Sequence, residues 1–136
     1  MLKEILFNQP SMMALGKMLD KAAVNQRVIA ANVSNVSTPG YRKRGVSFEE
    51  QLRNAMKSPS QNMLRSDPRH LPQPDSLDKV MPEVAYVENG YWNGINNVNI
   101  DEEMADLAKN QLDFNIAAKL LNEKFTGLRT AIRGRR

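Results

Sequence analysis

The chain has 136 residues with a formal net charge of +4, and 41% of it is hydrophobic and 6% aromatic. This length suits one domain and is too short for two ordinary ones. The absence of cysteine excludes thiol nucleophiles, disulfides and Cys-based zinc sites, and a histidine-based metal site or triad would depend on His70 alone. We therefore expect no catalytic, cofactor-binding or metal-binding residues, no cofactor, and a protein that is not an enzyme.

The N-terminal third predicts one long helix over residues 1–36 that carries a coiled-coil seam. Its seam positions are separated by alternating steps of 3 and 4 residues, and Gln26 is the one polar position among them. The helix is closed by residues 37–40, where Gly40 suits the left-handed corner of a type II turn. The seam residues are Met12, Leu15, Leu19, Ala22, Gln26, Ile29, Val33 and Val36.

The middle of the chain, residues 37–98, is predicted to be irregular. Five of the 7 prolines fall between residues 59 and 82, which excludes a long helix there. Residues 49–57 could form a short helix, and residues 86–92 are typical of a small β-hairpin with a type I′ turn at Asn89-Gly90. Because two strands alone are marginal in water, this hairpin would need another surface to pack on.

The last third predicts the longest helix, over residues 99–136. Asn99 followed by Glu102 matches an N-cap with a carboxylate three residues on, and Gly134 marks the far end. Acidic residues crowd its first turns and basic residues its last, which complements the helix macrodipole. Its seam has alternating steps of 4 and 3 residues and consists of Ile100, Met104, Leu107, Gln111, Phe114, Ala118, Leu121, Phe125, Leu128 and Ile132.

The two seams predict a mainly α fold in which the terminal helices pair as an antiparallel coiled-coil hairpin. If Val36 and Ile100 share a layer, Gln26 and Gln111 meet in a polar layer that fixes the register. The alternative is that each glutamine faces solvent or a neighbouring subunit. Two long helices bury too little surface for a compact domain of this size, so we expect other chains to complete the core.

Residues 31–41, ANVSNVSTPGY, closely resemble the A-N-x-x-N-x-x-T-P-G-Y signature of flagellar rod and hook proteins. Residues 96–104, NNVNIDEEM, are similar to the N-N-V-D-x-x-x-E-M start of that family's C-terminal helix. Ile95 looks like an insertion before this run, and Asn99 stands where Asp is usual. The chain thus resembles the flagellar basal-body rod family, closest to its short proximal rod members.

This resemblance implies a structural subunit that assembles helically with copies of itself and builds the drive shaft that transmits torque from the motor. The other partners it implies are flagellar rod proteins, MS-ring and rod-adaptor proteins, and the flagellar export apparatus. Neither nucleic acid nor direct membrane insertion is expected. The implied location is the periplasmic rod of the basal body, reached by type III export without a cleaved signal peptide.

Six signature residues form the candidate assembly site. Two asparagine amides can bond neighbouring backbone or another subunit, the turn redirects the chain, and a tyrosine can anchor the exit by packing. On its own the signature would also fit a well-capped helix end. The residues are Asn32, Asn35, Thr38, Pro39, Gly40 and Tyr41.

Two other functions stay open at this point. A self-contained coiled-coil adaptor or scaffold would use the same seams. A basic nucleic-acid-binding protein could use residues 42–44 and the arginines from Arg129 to Arg136. The basic residues are split between two ends and no recognised DNA- or RNA-binding motif is present, so this alternative is the weaker one. The tail arginines could instead contact acidic groups such as Asp101 to Asp106 of a neighbouring subunit.

Overall fold

The computed structural model describes residues 10–57, 77, 80–88 and 90–134. In chain order the elements are helix α1 (Pro10–Ser34), strand β1 (Arg44–Ser47), helix α2 (Glu49–Lys57), strand β2 (Glu83–Tyr86) and helix α3 (Ile100–Arg133). The fold is mainly α with a small two-stranded sheet between two long helices, as predicted. Within the described ranges, no helix is long and apolar enough to cross a membrane.

The ends of α3 follow from local sequence. Asn99 adopts an extended backbone and its side chain accepts a hydrogen bond from the Asp101 N–H at 3.0 Å, which confirms the predicted N-cap. Gly134, with φ +70°, ends the helix in a conformation that residues with a side chain rarely adopt. Both boundaries were therefore set by single residues.

The chain leaves α1 through the predicted turn. The Tyr41 N–H donates to the Thr38 carbonyl at 3.3 Å, and Gly40 has φ +71°. A positive φ at the third residue is what a type II turn requires. The turn directs the chain back along α1 towards β1.

Helices α1 and α3 lie side by side in opposite directions. Asn25 bonds to Asn110, and Asn32 bonds to Glu103, so residues later in α1 meet residues earlier in α3. This confirms the antiparallel pairing. The contact face of α3 is a row of residues seven apart, namely Glu103, Asn110 and Ala117, which are 1%, 4% and 1% exposed.

The predicted seams are only partly covered, because α3 is rotated so that this row faces α1. Glu103 and Asn110 form hydrogen bonds with residues of α1. A buried polar side chain without such a bond would destabilise the fold, so these bonds favour the rotation that brings both residues to α1. The buried or half-buried seam residues are Met12, Leu15, Leu19, Ala22, Ile29, Val33, Val36, Leu107, Ala118, Leu121 and Leu128. The exposed ones are Gln26, Ile100, Met104, Gln111, Phe114, Phe125 and Ile132.

The polar layer at Gln26 has a different partner from the one predicted. The Asn110 Nδ2 donates to the Gln26 Oε1 at 3.2 Å and to the Ala22 carbonyl at 3.0 Å. Gln111, the predicted partner, is exposed and donates to Asn115 on its own helix at 3.3 Å. The same rotation of α3 explains both observations.

The predicted hairpin over residues 86–92 is wrong in its pairing. Strand β2 pairs antiparallel with β1, with Gly45 opposite Ala85. Tyr91 and Trp92, the predicted returning strand, lie outside any strand, and Asn89 lies outside the described residues. Strand β1 packs on α1, so β2 gains a supported partner by pairing with it. A hairpin formed by residues 86–92 alone would have no such support.

A small apolar core holds α2 against the sheet. Phe48, Ala55 and Val80 are buried, and partly buried apolar residues pack around them. Helix α2 coincides with the short helix predicted over residues 49–57, and the Lys21–Glu49 ion pair at 2.9 Å joins it to α1. The described part of the middle segment is therefore attached to α1.

Candidate functional site

Asn32, the first signature amide, is 1% exposed and uses all four of its hydrogen-bonding positions. Its Nδ2 donates to the Arg44 carbonyl at 2.8 Å and to the Glu103 Oε2 at 2.9 Å. Its Oδ1 accepts from the Arg44 N–H at 3.1 Å and from the Tyr41 hydroxyl at 3.0 Å. One side chain on α1 therefore joins the turn, β1 and α3.

Asn32 also takes the place of a third strand at the edge of the sheet. In an antiparallel pair, successive residues bond alternately to the partner strand and away from it. The Val87 N–H donates to the Lys43 carbonyl at 2.9 Å, so the backbone of Arg44 points away from β2 and towards α1. Both of its polar groups meet the Asn32 amide, and an aliphatic residue at that position would leave them unpaired.

Glu103 is a buried carboxylate whose charge is balanced by Lys43. The Lys43 Nζ lies 2.8 Å from the Glu103 Oε1 and 3.3 Å from the Glu102 Oε2. Burial alone would lower the pKa of the Lys43 ammonium, but Glu103 and then Glu102 outweigh it and raise that pKa above its ordinary value. Removing Lys43 would leave the buried Glu103 carboxylate without its counter-charge, whereas removing Glu103 would leave Lys43 paired with Glu102 alone.

These residues form a single cluster at the end of the molecule where α1 stops and α3 starts. We refer to Asn32, Tyr41, Lys43, Arg44 and Glu103 as the Asn32 cluster. It joins the two segments of sequence that carry the rod-protein resemblance, although they are about 60 residues apart in the chain.

Asn96, which is 0% exposed, caps the end of α1 from the second of these segments. Its Nδ2 lies 3.1, 2.9 and 3.1 Å from the carbonyl oxygens of Asn35, Val36 and Thr38. Carbonyls at the end of a helix lack partners within it, so this amide satisfies groups that would otherwise be unpaired. Its Oδ1 accepts from the Val98 N–H at 2.9 Å and fixes the amide in place.

Two further asparagines shape the loop that carries Asn96. The Asn93 Oδ1 accepts from the N–H groups of residues 95 and 96, both at 2.8 Å. The Asn97 Oδ1 accepts from the Lys43 N–H at 2.7 Å, and its Nδ2 donates to the Val87 carbonyl at 2.9 Å. The run of asparagines before α3 is thus a bracket between the end of α1 and the sheet.

The other signature residues act within the turn. The Asn35 Nδ2 donates to the carbonyl four residues earlier at 2.8 Å, and its Oδ1 accepts from the Thr38 hydroxyl at 3.1 Å. The Gly40 N–H donates to the Ile95 carbonyl at 3.1 Å, and Pro39 is exposed at the turn's first corner. The structure therefore brings all six signature residues to one end of the helix pair.

The sequence interpretation missed four residues of this region as site residues: Lys43, Asn96, Glu103 and Asn110. Glu103 matches the acidic residue of the family-like run at residues 96–104, but neither that match nor its place in the first turn of a helix predicts a buried ion pair. The available signal was the spacing, because Glu103, Asn110 and Ala117 are seven apart and so share one face of a helix. A helix face that carries polar residues together with a small residue can therefore form a helix–helix contact, as an apolar face can.

The basic segment at residues 42–44 is engaged within the chain. The Arg42 guanidinium lies 4.8 Å from the centre of the Tyr86 ring, and that of Arg44 lies 5.8 Å from the centre of the Tyr41 ring. Lys43 is held in the ion pair described above. These contacts give each of the three basic residues an internal partner, which disfavours a role in binding phosphates.

The chemistry of the site is that of a structural joint. In the part of the chain that the structure describes, no group of three or more histidine, aspartate or glutamate residues is placed to hold a metal ion. His70 lies outside the described residues. What the geometry does is lock the end of α1, the sheet and the start of α3 together through buried amides and one ion pair.

Comparison with known proteins agrees with the resemblance. The profile of a family described as Flagella basal body rod protein matches residues 19–42. A flagellar basal body rod protein FlgB of Bacillus subtilis is 34% identical over 116 residues, which cover 85% of this chain and 88% of that protein. The proteins of the same name from Borreliella burgdorferi and Salmonella typhimurium are 26% and 23% identical over 125 and 121 residues. Each alignment covers 85% of this chain, and 90% and 88% of the respective relatives.

Proposed function

This chain belongs to the FlgB family of flagellar basal body rod proteins, and we propose that the uncovered apolar face of α3 is its contact with neighbouring rod subunits. It is a structural subunit of the proximal rod of the basal body. Family membership supports a structural role rather than a catalytic one.

The observation that carries it is the exposure of the α3 seam. We call this surface the outer seam, and it consists of the exposed seam residues Ile100, Met104, Gln111, Phe114 and Ile132. Met104 is 50% exposed, Phe114 42% and Ile132 72%, and they follow one another along a single side of the helix. Contiguous apolar surface of this kind on a soluble protein marks an interaction site.

Other large apolar side chains of α3 are exposed as well, because Leu112 is 59% exposed and Ile116 is 47% exposed. Copies of this chain and other rod proteins are the partners that the family implies for this surface.

The remaining elements of the proposal rest on the family. The subunit assembles helically in the periplasmic rod, next to MS-ring and rod-adaptor proteins, after passing through the flagellar export apparatus without a cleaved signal peptide. The rod then transmits torque from the motor. The Asn32 cluster supports this role, because a joint made of buried hydrogen bonds keeps α1, the sheet and α3 in fixed relative positions under load.

Complementation of a strain that lacks this chain tests the proposal. Met104→Glu places a charge in the outer seam, and Met56→Glu is a matched control because Met56 is an equally exposed methionine on α2, at 58%. We expect both variants to fold, since neither residue is buried, and only Met56→Glu to restore rods and swimming. Equal restoration by Met104→Glu and Met56→Glu would refute the assignment of the outer seam.

A further inference from the structure

A second row of residues runs along α3 beside the outer seam, on the side away from the sheet. Its members are seven residues apart and all exposed: Asp101, Ala108, Asn115, Asn122 and Arg129. We call it the flanking row. The row of α3 that contacts α1 has the outer seam on one side and the cleft beside β1 on the other. Asp106 and Asp113 line that cleft, so they lie on the side of α3 that faces the sheet. The outer seam and the flanking row thus form one continuous surface that the described part of the chain leaves open.

The flanking row is complementary to itself when reversed. It has an acidic residue at one end, a basic residue at the other, and uncharged residues between them. Two copies of α3 set antiparallel about a two-fold axis at Asn115 place Asp101 opposite the second copy's Arg129, and Ala108 opposite the second copy's Asn122. A parallel arrangement in the same register would instead set like charges against each other.

The outer seam fits the same arrangement. The full α3 seam, from Ile100 to Ile132, has alternating steps of 4 and 3 that read the same in both directions. Reversal places Ile100 opposite the second copy's Ile132 and Phe114 opposite the second copy's Ala118, and it places Met104 opposite the second copy's half-buried Leu128. These layers centre on residue 116 and the flanking row centres on Asn115, so the two rows agree in direction and differ in register by one residue, about 1.5 Å along the helix.

We propose that the free subunit forms a symmetric antiparallel dimer through the outer seam and the flanking row of α3. The occupant of this face before assembly is a second copy of the same chain. A two-fold contact uses the same patch on both partners and closes on itself, so it cannot propagate along a helical rod. In so far as the proposed rod contact is right, the dimer keeps the assembly face covered until rod neighbours displace the second copy.

Charge reversal tests the direction of the pairing. Asp101→Arg removes two attractive contacts and creates two repulsive ones, and we expect it to raise the dimer dissociation constant, measured by sedimentation, about tenfold or more. The double variant Asp101→Arg with Arg129→Asp restores both contacts and should restore dimerisation. Arg53→Asp, on the exposed side of α2, is the control. A double variant as weak as the single one would overturn the pairing.

Cross-linking tests the register, and the chain suits it because it contains no cysteine. With a short bismaleimide linker, Asn115→Cys should form a covalent dimer with itself. Ala108→Cys and Asn122→Cys should not, because each lies about 20 Å along the helix from its own copy. A mixture of these two variants should cross-link to each other. If Asn115→Cys fails to cross-link although its thiol is shown to react, or if all three variants cross-link alike, the proposed dimer is wrong. Neither result depends on the swimming assay above.

Discussion

Replacing Asn32 with alanine separates the α1 end of the molecule from β1 and α3 in a single step. The substitution removes an amide that makes four hydrogen bonds, to the Tyr41 hydroxyl, to both backbone groups of Arg44 and to the Glu103 carboxylate. The site is 1% exposed, so water cannot readily replace those bonds without opening the packing. The groups left behind include a buried carboxylate, which is costly to leave without a donor.

The size of the effect follows from the number of bonds. At about 1 kcal/mol for each net hydrogen bond, the loss is about 4 kcal/mol, and the stability of a domain is about 5–15 kcal/mol in total. For a chain of this size such a loss lowers the melting temperature by about 12 °C. Asn54→Ala is the matched control, because it makes the same change at an exposed position of α2, where we expect less than about 0.5 kcal/mol.

Urea denaturation followed by circular dichroism measures both free energies of unfolding. Asn32→Ala should shift the midpoint strongly and Asn54→Ala should barely move it. If the two variants lose similar stability, or if Asn32→Ala costs less than about 1 kcal/mol, the Asn32 cluster does not hold the fold together as argued.

The remaining variants test the other parts of the joint. Asn96→Ala should cost about 2–3 kcal/mol and speed amide hydrogen exchange at residues 35–40, because it uncaps the end of α1; unchanged exchange there would contradict the capping role. Gly40→Ala should cost about 1–2 kcal/mol because φ there is +71° and the space around it is open, so only backbone strain is tested, by thermal melting. Lys43 has a raised pKa, so its contribution to stability is complete below its ordinary pKa of 10.5 and is lost as the pH rises through the higher folded value. Denaturation series at alkaline pH should show this loss in the native protein but not in Lys43→Met combined with Glu103→Gln, and equal losses in both would refute it.

Much of the fold follows from short stretches of sequence. The start of α3 at Asn99, its end at Gly134 and the turn at Gly40 each depend on one residue whose side chain, or lack of one, decides the local backbone. The periodic spacing of apolar residues likewise predicts two long helices and their antiparallel arrangement. The caps, the turn and the helices themselves need no knowledge of distant parts of the chain, whereas the antiparallel pairing follows from the presence of two seams in one short chain.

The features that sequence did not predict are long-range. Strand β2 could form a hairpin with the residues that follow it, and only the presence of β1 on α1 decides the actual pairing. The rotation of α3 depends on whether Glu103 and Asn110 find partners, and those partners lie on another helix. The spacing of apolar residues predicts the seam along α3, and the prediction was that α1 covers all of it. In the structure α1 leaves part of this seam exposed, and we propose that other chains cover that part.

We propose that this chain joins the proximal rod through the outer seam of α3 while the Asn32 cluster holds α1, the sheet and α3 in fixed relative positions. A subunit-resolved cryo-EM map of isolated basal bodies tests it directly. We expect this chain in the proximal rod, with Met104 and Ile132 buried against neighbouring subunits and the Asn32–Glu103 hydrogen bond still in place at about its present 2.9 Å. A rod without this chain, or a subunit whose Met104 and Ile132 face solvent while other surfaces contact its neighbours, would contradict it.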